Sequence, residues 1–95
     1  MPSFRVIITI GALRPGIAPA MLLPAAAEAA ATLTTVEASD LGVVAGSARL
    51  IVRFTAEDRE IAEQIAEHVL AVTARCAEPR AFHLTQRVGG RWLAA

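Results

Sequence analysis

The side chains of this chain that could do chemistry are mostly arginines, and their spacing matters more than their number. Arg5 alternates with Ile7 in one apolar segment, Arg49 and Arg53 flank Ile51 in a second, and His83 alternates with Arg87 in a third. A guanidinium makes bidentate, charge-assisted hydrogen bonds to carboxylate or phosphate. Four arginines and a histidine around two isoleucines would bind an anion carrying an apolar part, or would meet a second protein surface with acidic groups such as Glu37 set against the arginines. The protein-partner reading is favoured, because an open sheet face bearing isoleucines is commonly covered.

The other candidates are weaker. His83, among arginines, tends toward its neutral form and could act as a base. It is the proton-transfer candidate if the protein is an enzyme, yet no carboxylate or nucleophile is tied to it by spacing, and no other residue is assigned to catalysis. His68 reads as a boundary residue at the edge of an apolar helical face. Cys76, aligned with Ile65, Val69 and Val72, reads as a buried thiol with no basic group to lower its pKa. Two histidines and one cysteine without close ligand spacing argue against a metal site, and no cofactor is implied. Gly11-Ala-Leu-Arg-Pro-Gly16 spaces two glycines as a phosphate loop does, but Ile17 and Ala18 stand where Lys and Ser or Thr are needed, so it reads as a turn.

The elements that position these residues follow from apolar periodicity. Phe4, Val6, Ile8 and Ile10 alternate with Arg5, Ile7 and Thr9, which predicts a strand. A loop with glycines and prolines follows, then a helix that includes Ala25–Thr32 and starts at Pro19 or Pro24; a start at Pro19 would make Pro24 a kink. Leu33–Phe54 predicts two antiparallel strands with a turn at Ala45-Gly46-Ser47 and a bulge near Asp40-Leu41-Gly42. At Thr55 the spacing switches from two to about 3.6. Thr55 and Asp58 resemble a capping box, and Ile61, Ile65, Val69, Val72 and Cys76 trace one face of a helix from about Ala56 to Arg75. Pro79 stops it, and Ala81–Val88 alternates as a fourth long strand. After Gly89-Gly90 the chain either returns as a short strand or lays Trp92 across an open edge of the core.

The order β-α-β-β-α-β has a simple compact solution, a ferredoxin-like α+β sandwich: a four-stranded antiparallel sheet with both helices on one face, plus a short C-terminal extension. Its central strands would be the first and third, the most apolar on their inner faces. Ninety-five residues make one domain, 1–95, able to bury roughly 60–65% of its unfolded surface. Nine acidic residues balance nine arginines, so no net field holds nucleic acid or an anionic membrane. The base-stacking aromatics of an RRM are also missing from the arginine-bearing strands, which ranks RNA last among the partners. Absence of lysine and abundance of alanine read as the habit of a GC-rich bacterial genome. The apolar run Val6–Leu13 is broken by Arg14-Pro15-Gly16, and Pro15–Ala27 is too short to span a bilayer, so a cytoplasmic location without membrane contact is expected.

Leu13-Arg14-Pro15-Gly16-Ile17 after the first strand, and Ala56-Glu-Asp58 leading into an acidic amphipathic helix ending at Leu70-Ala71, resemble the small PurS-type subunit of bacterial phosphoribosylformylglycinamidine synthase. The resemblance covers most of the element order and departs at Ala18-Pro-Ala-Met21, in the absence of a glycine-lysine pair between the middle strands, and at Gly89-Gly90-Arg91-Trp92. It implies a non-catalytic, dimeric or higher subunit bridging a glutaminase and a synthetase. The residues themselves point first to a non-catalytic module that self-associates, as a homodimer or within a larger complex, through the open sheet face or an edge strand, with Arg5, Arg49, Arg53 and Arg87 setting partner choice. A small anionic ligand is the other occupant considered for that face. The enzyme alternative is a small dimeric α+β barrel with a pocket at His83.

Overall fold

In the computed structural model, which describes residues 1–95, the chain forms β1 (Ser3–Leu13), a 3-10 turn (Pro19–Met21), α1 (Leu22–Ala31), β2 (Val36–Val44), β3 (Ser47–Thr55), α2 (Arg59–Ala74), β4 (Ala77–Val88) and β5 (Arg91–Ala94). Each neighbouring pair in the sheet is antiparallel and the order is β2-β3-β1-β4-β5. The expected four-stranded ferredoxin-like sheet is thus corrected to a five-stranded one. Gly89 and Gly90 adopt positive φ angles of 56° and 81°, the backbone that a tight two-residue hairpin needs, and this returns the extension alongside β4. No helix is long and apolar enough to cross a membrane.

Both helices cover one face. β1 contributes Phe4, Val6, Ile8 and Ile10 to the core and β3 contributes Leu50, Val52 and Phe54, each no more than 4% exposed. α1 lies over β2 and β3, and α2 lies over β4 and β1. Pro24 falls in the first turn of α1, where a proline leaves no intrahelical bond unmade. α2 starts later than predicted: Thr55 still belongs to β3, and Asp58 is the cap, its carboxylate accepting from the Ile61 amide at 2.9 Å.

The buried side of α2 is Ala62, Ile65, Ala66, Val69 and Thr73, not the expected line through Ile61, Val72 and Cys76. Alanines at 62 and 66 let the helix sit close to the sheet, which turns the bulkier Ile61 toward the rim, 39% exposed. β4 begins at Ala77, earlier than expected, and contains Pro79. The ladder to β1 is interrupted on both sides of the Ile10–Pro79 pair, and β5 pairs only with Thr85–Val88, so the proline stands in a broken stretch of ladder with nothing beyond it. The bulge of β2 lies at Glu37, between Val36 and Ala38, instead of near Asp40.

Candidate functional site

Alternation along β1 decides what shares the open face. Even-numbered residues enter the core, so Arg5, Ile7 and Thr9 point away from the helices. Register then sets their neighbours: Arg53, Ile51 and Arg49 stand opposite them on β3, while Thr85 and His83 stand opposite Arg5 and Ile7 on β4. Arg87 lies on the same side, opposite Trp92 of β5. The fold therefore gathers all seven residues singled out from the sequence, Arg5, Ile7, Arg49, Ile51, Arg53, His83 and Arg87, on one face.

The arrangement at Arg5 is electrostatically tense. Arg5 and Arg53 are directly opposed like charges, a destabilising pairing across strands. Burial, and then the Arg53 charge, hold the Arg5 guanidinium below its ordinary pKa. Arg5 has no acidic partner; its one side-chain contact of this kind is a long hydrogen bond from Nε to Thr85 Oγ1, at 3.4 Å. Arg53 is better compensated, donating from Nε to Glu37 Oε1 at 3.1 Å. The same oxygen accepts from Ser3 Oγ at 2.7 Å. That hydroxyl is the largest influence holding the Glu37 carboxyl below its ordinary pKa, with Arg53 and Arg87 acting the same way against partial desolvation. The bulge explains the location: an extra residue in β2 swings Glu37 toward Ser3 and Arg53.

Trp92 is the residue that sequence reasoning missed here. Alternation within β5 puts it on the open face, where Arg5 lies 4.2 Å and Arg53 5.3 Å from the ring centroid. The indole offers the negative potential of its π-face to both cations. Only the Gly89-Gly90 signal could have located it, by implying a return strand whose second residue shares a side with Arg87. Trp92, Arg5, Arg53, Ile51, Ala38, Ser39 and Asp40 line a shallow depression of about 140 Å³, room for a carboxylate or phosphate with a few waters.

The remaining candidates do not line this depression. His83 and Arg87 are exposed, and Arg49 is half-buried. His83 lines none of the molecule's surface concavities; the core fills the space beneath the helices over β1 and β3, and the concavity on that side lies at the rim between α2 and β4, lined by Glu63, Glu67, Phe82, Leu84 and Ala95, while His83 points to the opposite face. His68 lies in a groove between the helices with Glu28 and Val72. Cys76 is half-buried just beyond α2, not on its buried side. No group of three or more His, Cys, Asp or Glu side chains converges as metal ligands. No protein-family model matches the chain, and no curated protein or solved structure matches it with significance.

Proposed function

We propose that this protein is a non-catalytic binding module whose open sheet face receives an acidic group of a partner protein between Arg5, Arg53 and Trp92. The observation that carries the reading is Arg5, a half-buried guanidinium without an acidic partner, held beside a second cation. An incoming carboxylate supplies the missing charge, and the indole gives its apolar stem a surface. Surplus positive charge also argues against pairing this face with its own copy, which would set arginines against arginines. A subunit that bridges other proteins, as the PurS resemblance implies, is one form of this role.

Trp92 is the single tryptophan, so its fluorescence reports on the site directly. Titration with a hexaglutamate peptide is expected to change the emission saturably and salt-sensitively, and Arg5→Ala is expected to weaken that response about tenfold, the loss of one charge-assisted contact. A flat titration into the millimolar range, or an Arg5→Ala response equal to wild type, would overturn the reading.

A further inference from the structure

We propose that a second copy of this chain docks along the free edge of β2, joining the two sheets into one about a twofold axis at Leu41. β2 is the outermost strand and has nine residues, whereas the opposite edge strand, β5, has four. Free strands of this length are normally blunted by proline, by charged side chains or by a bulge. In β2 the bulge and Glu37 lie at its start and Asp40 is the last charge, so Leu41–Val44 has none of these protections.

The outward peptide groups can be assigned. Val44 and Ser47 close the two-residue hairpin at Ala45-Gly46 and are partners in the ladder. Bonded and non-bonded pairs alternate from there, so Ser39, Leu41 and Val43 direct their N–H and C=O groups away from β3. Leu41 bears this out: its N–H is taken up by the neighbouring Asp40 Oδ1, at 2.9 Å, and not by a strand. Pairing Leu41 with its own copy, and Ser39 with Val43, would form about six ladder bonds.

Helix placement selects a copy of this chain as the occupant. α1 lies over β2 and β3, so at a strand spacing of about 4.8 Å two copies of α1 come to about 10 Å apart, ordinary helix-packing distance. The flank they would share is the one opposite α2, where Leu23 and Ala27 are half-buried. Leu41, 38% exposed, and Val43, 75% exposed, fall on the same side of the sheet and would be covered beneath them. The β5 edge cannot close this way. α2 lies over β4 and β1, so two copies joined at β5 would leave about 20 Å between the helices, an unfilled gap.

Charge fixes the register. An axis at Asp40 would oppose two carboxylates. An axis at Leu41 instead sets Asp40 beside the partner's Gly42, which has no side chain, and Gly42 pairs on its far side with Arg49. Arg49 then reaches across the glycine to Asp40 of the other copy, twice per dimer. Both open faces emerge on the same side of the joined sheet, so a partner with two acidic groups would be bound bivalently.

Mass by sedimentation and light scattering tests this. Wild type is expected at twice the chain mass. Leu41→Pro removes an N–H that the single chain does not use in its ladder, and is expected at the single-chain mass with unchanged far-UV circular dichroism. Asp40→Arg is expected to weaken the dimer at least about tenfold, and Asp40→Arg with Arg49→Asp to restore it. Wild type at the single-chain mass, or a Leu41→Pro protein that stays dimeric, overturns the proposal. Should Leu41→Pro unfold, an undiminished dimer in Asp40→Arg overturns it equally. None of these results depends on whether hexaglutamate binds the Trp92 face.

Discussion

The two faces of β1 and β3 are made by the same residues in alternation, and they are held together by different physics. On the helix side, Phe4 and Phe54 stack at 6.1 Å between ring centroids, both fully buried. One residue along each strand, on the other side, Arg5 and Arg53 face each other with like charge and are reconciled by an indole, a hydroxyl and a carboxylate. Apolar burial secures the first face without regard to direction, so it tolerates little loss of volume. Directional polar contacts, half in water, secure the second, and such a face contributes little to stability while retaining charge for a partner. Stability and recognition are thus separated by a single step along the chain.

Substitutions at adjacent positions test the separation most sharply. Phe54→Ala is expected to cost about 3–5 kcal/mol in urea denaturation, through lost transfer energy and a cavity. Arg53→Ala next to it should cost no more than about 1 kcal/mol. Equal costs would mean that the open face is part of what holds the fold. Trp92→Ala comes next at about 1–2 kcal/mol, because a half-buried indole loses some area and its cation–π contacts but leaves no enclosed void. A loss as large as that of Phe54→Ala would make Trp92 a structural keystone. On the covered side one group breaks the apolar pattern: the Thr73 hydroxyl is buried without a hydrogen-bond partner. Thr73→Val should therefore raise stability by about 1 kcal/mol, and a decrease would show that the hydroxyl has a partner in solution.

The covered face was largely legible in the sequence because period-two burial leaves a strong mark: Phe4, Val6, Ile8 and Ile10 specify an inner face without knowledge of any partner. The candidate arginines were legible for the same reason, as the complement of that pattern. Trp92 was not, and Glu37, though named as a counterpart of the arginines, was not placed beside Arg53 of its own chain. Arg91–Ala94 has too few residues to show alternation, and it becomes a strand only by pairing with β4. The phase change in β2 lies somewhere between Val36 and Leu41, and periodicity alone cannot choose among the intervening residues; the pull of Ser3 and Arg53 on the Glu37 carboxylate does. In α2 the alanines at 62 and 66 misled in another way, since hydropathy weights Ile61 above them although close packing favours the smaller side chain. What escaped the sequence is what depends on contacts between distant segments.

Glu37 offers the smallest effect and the finest probe of the open face. Its carboxyl is held below the ordinary Glu value first by the Ser3 hydroxyl and then by Arg53 and Arg87, so the native state binds its proton less readily than the unfolded chain does. A depressed carboxyl pKa contributes stability that is fully present above the unfolded-state value and is lost as pH falls through the native one. Because the group is exposed, the contribution is expected to be only about 0.2–1 kcal/mol. Wild type should exceed Glu37→Gln by that margin near neutral pH, and the two should converge in acid. Trp92 makes the same event visible without unfolding: protonation frees Arg53 from Glu37 beside the indole, so emission should titrate with a midpoint below the ordinary Glu value in wild type and stay flat in Glu37→Gln. An identical acid titration in both proteins would mean that Glu37 does not hold Arg53 in solution, and the open face would then carry one more uncompensated cation than the structure shows.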